Sequence, residues 1–143
     1  MTDEPSEAGR DKLEIDNMYL CGSTFTRVNL NEARFSDCHL MGATLDDVNA
    51  TGLIHENVNL SGARYYDVNL SGAQISNANM AKISVRDTNM AGARLSDITL
   101  SGAVIADANL TGLSIDDASL SGMTINGILV DDLLALWSEA HGS

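Results

Sequence analysis

Rings are scarce in this chain. Aromatic residues make up 4% of it, although the apolar fraction is an ordinary 44%. An interior built from that mixture is narrow, filled by Leu, Ile, Met and Ala, with little room for large side chains. Positive charge is scarce too. Eight Lys and Arg face 20 Asp and Glu, giving a formal charge of −12 and a pI near 4.3. Direct nucleic-acid binding needs a cationic footprint, and so does docking on an anionic membrane, so neither is expected. A basic partner, or one that normally holds DNA, stays compatible with the charge.

Cysteine is nearly absent as well. Cys21 and Cys38 have no metal-ligand spacing, so they read as reduced structural thiols, and no metal or cofactor is expected. No apolar run approaches the roughly 18 residues of a membrane span. The start, Met1-Thr2-Asp3-Glu4-Pro5, lacks the positive end and apolar stretch of a signal peptide, so a cytoplasmic location is expected. At 143 residues the chain is long enough for one domain with a real core.

What the chain has in abundance is a period of five. Every fifth position from Ile15 to Val130 makes 24 sites, and Leu, Ile, Val, Met or Phe fills 21 of them; Ala50, His55 and Tyr65 depart. The sites two residues earlier run from Leu13 and Met18 to Ile128, and only Ser23 and Thr88 are polar among them. A strand repeats every 2 residues and a helix every 3.6, so neither produces two apolar columns at a period of 5. The chain must turn a corner in each repeat.

A ten-residue period is superposed. The fifth position of alternate pentads is Gly, as in Gly42, Gly62 and Gly72, or Asp/Asn, as in Asp47, Asn57 and Asp67. Gly tolerates positive φ, and Asp or Asn can bond the backbone two residues on, so both are corner residues. Three segments follow: a flexible polar tail over 1–12, the array over 13–130, and a C-terminal segment over 131–143. In the last, Asp131 can cap a helix over 131–140 and Gly142 can stop it.

Units such as Ala78-Asn79-Met80-Ala81-Lys82, Ala108-Asn109-Leu110-Thr111-Gly112 and Val28-Asn29-Leu30-Asn31-Glu32 resemble those of the pentapeptide-repeat family. That resemblance, over residues 13–130, implies an all-β fold: a right-handed quadrilateral parallel β-helix with four pentads per coil. Here it would have about six coils and a length of roughly 29 Å at the ~4.8 Å strand spacing, with a short C-terminal capping helix.

Residues 20 apart should then stack. Asp47, Asp67, Asp87 and Asp107 would line one corner; Asp37, Asn57, Asn77, Asp97 and Asp117 would line the opposite one. As turn chemistry, each Asp would satisfy the backbone of its own corner. As function, the same lines would present carboxylates to a basic partner.

Some members of the family resemble duplex DNA in shape and charge and bind DNA gyrase. The array here carries 13 acidic and six basic residues. Its net charge is about one per ~4 Å of rod, against one per ~1.7 Å of duplex DNA, so the mimicry is dilute. Arg27 and Arg86 interrupt the acidic lines, and the projecting loops of several gyrase-protecting members are missing.

His55 falls on an inward site, where a ligand or general base would need companions that the sequence does not supply. It reads as a core histidine beside the small Ala50, with Tyr65 as its expected hydrogen-bond partner. In the C-terminal helix Leu133, Leu134, Leu136 and Trp137 form a wide apolar arc. Its expected role is to cover the last coil, with surface left over for a homodimer. No insertion forms a cleft, so an enzyme is not expected. The reading is a non-enzymatic scaffold for a protein partner, with a DNA mimic directed at gyrase or topoisomerase as the alternative.

Overall fold

The structure, a computed structural model, describes residues 13–141. The tail expected over 1–12 and the helix stop expected at Gly142 lie outside the described residues. Among the described residues, thirteen strands and one helix follow in order. They begin with β1 (Glu14–Asp16), β2 (Thr24–Thr26), β3 (Arg34–His39), β4 (Thr44–Asn49), β5 (Ile54–Asn59) and β6 (Arg64–Asn69). Next come β7 (Gln74–Asn79), β8 (Ser84–Arg86), β9 (Arg94–Thr99) and β10 (Val104–Ala106). The chain finishes with β11 (Ser114–Ser119), β12 (Thr124–Ile125), β13 (Ile128–Leu129) and α1 (Val130–His141).

Odd-numbered strands β1 to β11 form one parallel sheet and even-numbered strands β2 to β12 a second, which β13 extends. Register within each sheet advances by 20 residues, as in Phe35 beside His55 and Leu45 beside Tyr65. The chain is therefore a β-solenoid of about six coils, as the family resemblance implied. Each turn hangs on the next through parallel backbone bonds such as Leu40 N–H to Asn59 C=O at 2.7 Å.

Two kinds of corner alternate. At the Gly corners, for example Leu40 to Ala43, the Ala43 N–H donates to the Leu40 C=O at 3.0 Å and Gly42 has φ of 68°. That is a type II turn, which needs positive φ at its third residue. At other corners the strand bends through one left-handed residue: Asp47, in the middle of β4, has φ of 58°, whereas β8 and β10 end just before the left-handed Asp87 and Asp107. Asp and Asn enter this region more readily than other non-Gly residues, which explains their place there.

The inward columns close into one core. Leu45, Leu60, Leu70, Met80, Leu95 and Leu100 are buried, and small residues such as Ala43, Ala63 and Ala73 fill the second column. Burying each Leu contributes roughly 1.5–3 kcal/mol. Towards the first described coil the columns open, and Leu13 and Met18 are exposed.

The far end departs from the expected pattern. The array was expected to run to Val130, but the regular coil stops at Ile125. Asn126 and Gly127, with φ of 51° and 80°, make a tight hairpin that folds β13 back antiparallel on β12. Two successive positive φ values match the right-handed strand twist, so Asn-Gly favours such reversals. Ile128, which the register would place inward, is consequently 52% exposed.

Candidate functional site: acidic corners and the C-terminal helix

The corner of Asp47, Asp67, Asp87 and Asp107 is a line of exposed side chains. All four residues are left-handed, with φ between 50° and 58°. Asp47 and Asp67 lie inside β4 and β6, while Asp87 and Asp107 directly follow β8 and β10, so the stacked coil sets the spacing of the line at ~4.8 Å. The carboxylates make no hydrogen bond and no ion pair among the described residues. The turn-satisfying role expected for them falls elsewhere.

That role belongs to asparagine. Asn69 Oδ1 accepts the Ser71 N–H at 3.0 Å and Asn89 Oδ1 accepts the Ala91 N–H at 2.9 Å. Asn29, Asn49, Asn59, Asn79 and Asn109 do the same, each two residues before the N–H it binds. These side chains sit just ahead of the turns whose left-handed residue is Gly or, after Asn29 and Asn79, Glu32 and Lys82, within reach of the turn. The corner Asp side chains instead project outward from a left-handed residue. The Asn columns were legible as repeats of the motif, but their part in the turns was not. Between the two rims, Val48 and Val68 floor an open groove with Asp47, Asp67 and Asp87 on one side and Asn49, Asn69 and Asn89 on the other.

The opposite corner is partly self-satisfied. Asn57 Nδ2 donates to Asp37 Oδ1, and Asn77 Nδ2 donates to Asn57 Oδ1 at 3.4 Å. Asp97 and Asp117 continue the column with carboxylates that have no partner among the described residues. This corner is therefore less acidic in effect than the first.

His55 is buried as expected, at 2% exposure, and its Nε2 lies 3.3 Å from the Tyr65 hydroxyl. Phe35 packs edge-on against the imidazole with ring centroids 5.0 Å apart. Desolvation lowers the His55 pKa from 6.5 to about 3, and burial pushes the Tyr65 phenol up. The expected satisfaction of the imidazole is only half met, because Nδ1 has no partner among the described residues. Apolar residues surround the pair: Phe25, Leu30, Leu45 and Leu53 share a cavity of ≈ 10 Å³ with it. No nucleophile or carboxylate lines that space, so the geometry is that of a core pair.

The C-terminal helix forms, but the covering role assigned to its apolar arc does not. Leu133, Leu134, Leu136 and Trp137 are 44%, 52%, 64% and 57% exposed. Trp137 stacks on His141 of its own helix instead, with ring centroids 4.0 Å apart. The short hairpin accounts for this: β13 and the buried Val130 occupy the end of the even-numbered sheet, and α1 leaves from there. Leu110, Leu113 and Leu120 of the last coil remain only partly buried.

Among the described residues, no group of three or more His, Cys, Asp or Glu is placed to hold a metal ion. No helix among the described residues is long and apolar enough to cross a membrane.

A stacked coil of pentads with Asn-closed Gly turns and Asp-bearing corners defines a class of repeat solenoid. Pentapeptide repeats match the chain in eight copies, spanning residues 16–47, 43–80, 56–90 and 84–122. The chain belongs to the pentapeptide-repeat family. Among solved structures it is similar to the pentapeptide repeat protein Rfr23 of the cyanobacterium Cyanothece 51142. Identity is 20% and the TM-score 0.57, covering 80% of this chain and 90% of that one. It is also similar to a pentapeptide repeat protein of the Arabidopsis thaliana thylakoid lumen, at 20% identity and a TM-score of 0.45, over 85% and 74% of the two chains. Similarity to QnrB1, a plasmid-mediated fluoroquinolone resistance protein, is weaker: 16% identity and a TM-score of 0.34 over 92% and 96%. No curated protein matches the sequence significantly.

Proposed function

We propose that the protein is a non-catalytic interaction scaffold of the cytosol that presents its acidic corner to a basic face of a protein partner. One observation carries this reading. Asp47, Asp67, Asp87 and Asp107 are held in line by the coil, and their carboxylates are engaged by nothing among the described residues. Carboxylates that satisfied a turn would be partly neutralised by backbone N–H groups; these are not, and their negative potential faces outward, interrupted by Arg27 and Arg86. The backbone of the line is held by the coil, so little backbone entropy is lost when a partner docks.

The test is a variant with all four Asp changed to Asn. Asn keeps the left-handed corner and removes the charge. Captured from native cell extract, a specific partner should bind the wild-type protein, weaken steeply with salt and be lost by the variant. Equal capture by both proteins would mean that the corner is not the contact surface.

A narrower reading is a DNA mimic that binds gyrase or another topoisomerase. It is favoured by the linear placement of the free carboxylates and weakened by their number. A rod of ~29 Å spans fewer than ten base pairs at 3.4 Å each, so such activity would require a dimer through Leu133, Leu134, Leu136 and Trp137. A supercoiling assay at concentrations where sedimentation shows a dimer decides it; no effect on gyrase there removes this reading.

A further inference from the structure

The outer face of the even-numbered sheet holds a concentration of positive charge that its acidic surroundings conceal. Outward residues alternate with buried ones along these strands, so β6 presents Arg64 and Tyr66 where β8 presents Ser84 and Arg86. The parallel register sets Arg64 beside Ser84 and Tyr66 beside Arg86, one strand spacing of ~4.8 Å apart. Lys82 stands at the corner two residues before Ser84, in the column otherwise occupied by Gly42, Gly62 and Gly102. Ser84 thus has a guanidinium-bearing residue on the adjacent coil, another two residues onward, and an ammonium-bearing residue two residues back.

These cations are not spent on the protein itself. Arg64, Lys82 and Arg86 are exposed, and none has an ion-pair partner among the described residues, although Asp67 and Asp87 occupy the neighbouring corner. Arg34, on the other sheet, behaves differently: its guanidinium lies 3.2 Å from Glu56. The half-buried hydroxyls of Ser84 and Tyr66 likewise make no hydrogen bond among the described residues.

We propose that this face binds one compact oxyanion of the phosphate class. The planar guanidinium groups of Arg64 and Arg86 supply paired N–H donors, which match phosphate geometry. Ser84 and Tyr66 add hydroxyl donors, and Lys82 adds charge at the rim. The size of the ligand is set by what bounds the patch. On one side the next strand offers Val104 and Ala106, which are neutral. On the other, Asp46 lies beside Tyr66, and the Asp67 and Asp87 corner runs along the flank. A single oxyanion fits between these limits, whereas an extended polyanion would run onto carboxylates. The oxyanion has two sources, a free phosphate ion or a phosphoryl group on a partner's side chain.

Amide chemical-shift titration of the full chain at constant ionic strength tests this. The probes are inorganic phosphate, a phosphoserine peptide and the same peptide unphosphorylated. Saturable shifts confined to residues 64–66 and 82–86 are expected with phosphate and with the phosphopeptide. Arg64→Gln and Arg86→Gln should each weaken binding about tenfold, with the circular dichroism spectrum unchanged. Tighter binding of the phosphopeptide would assign a partner's phosphoryl group, and equal binding a free ion; either upholds the proposal. Absent shifts, shifts spread equally over Arg27, Arg34 and Arg94, or equal binding of the unphosphorylated peptide would overturn it. So would tighter binding of a duplex oligonucleotide on the same face.

Discussion

His55 Nε2 lies 3.3 Å from the hydroxyl of Tyr65, and this contact joins the two sheets across an otherwise apolar centre. Burial holds the imidazole neutral, with its pKa lowered from 6.5 to about 3. Between those values the unfolded chain binds a proton that the folded protein does not. Stability from this group is therefore complete above pH 6.5 and lost as pH falls towards 3, by up to about 1.4 kcal/mol per pH unit. No carboxylate shares its cavity to oppose the effect. Denaturant midpoints at pH 7, 5 and 4 should show the wild type losing ground to the double variant His55→Leu/Tyr65→Phe. A difference that stays constant with pH would contradict the buried neutral imidazole.

The same pair predicts non-additivity. His55→Leu alone removes a half-satisfied ring but leaves the Tyr65 hydroxyl buried without a partner, at a cost of roughly 1–3 kcal/mol. Adding Tyr65→Phe should recover that loss. A double-mutant cycle by equilibrium unfolding checks it, and additive effects would mean that the two groups do not interact.

Leu70 and Leu100 are each 1% exposed and belong to the continuous inward column. Leu70→Ala and Leu100→Ala should each cost roughly 2–5 kcal/mol, because neighbours held in ladders above and below cannot collapse into the space. Thermal or denaturant unfolding measures this directly; near-neutral midpoints for both would mean that these side chains do not pack as a column.

At the Asp67 corner, backbone and charge separate cleanly. With φ of 55°, the position tolerates Asn, while a β-branched residue is strained there. Asp67→Asn should melt like the wild type, and Asp67→Val should lose about 1–2 kcal/mol. Equal melting of the Asn and Val proteins would argue against a left-handed corner.

The exposed arc of α1 predicts association without a stability role. Trp137→Glu and Leu136→Glu alter side chains that are more than half exposed, so unfolding midpoints of the monomer should scarcely move. Sedimentation should nevertheless shift from a concentration-dependent dimer to a monomer. Wild-type protein that stays monomeric at high concentration would remove the proposed dimer.

The fold was legible because its cause is local and repeated. A corner in every pentad needs Gly, Asp or Asn at a fixed position, and the wall between corners needs one large and one small inward residue. Both demands recur in every pentad, so the period marks Leu40, Leu60 and Met80 as inward, and the family resemblance, with four pentads per coil, stacks them as a column. The same reasoning placed His55 inside and Tyr65 opposite it, since both occupy inward positions of the period.

What escaped the sequence were features with no period. The reversal at Asn126-Gly127 breaks register once, and its effect was to leave Leu133, Leu134, Leu136 and Trp137 open instead of laid over the last coil. Whether an Asp corner is satisfied or free depends on where its carboxylate points relative to backbone N–H groups. Only the tertiary structure decides that, and it assigned the turns to Asn69 and its equivalents instead. The grouping of Arg64 with Arg86 likewise joins residues 22 apart in the chain, which are neighbours only because the coil advances by 20 residues per turn. Repetition marked the corners and the inward positions, and the resemblance it carries implied the rod; the ends and the charge pattern of its faces were settled by how the coils stack.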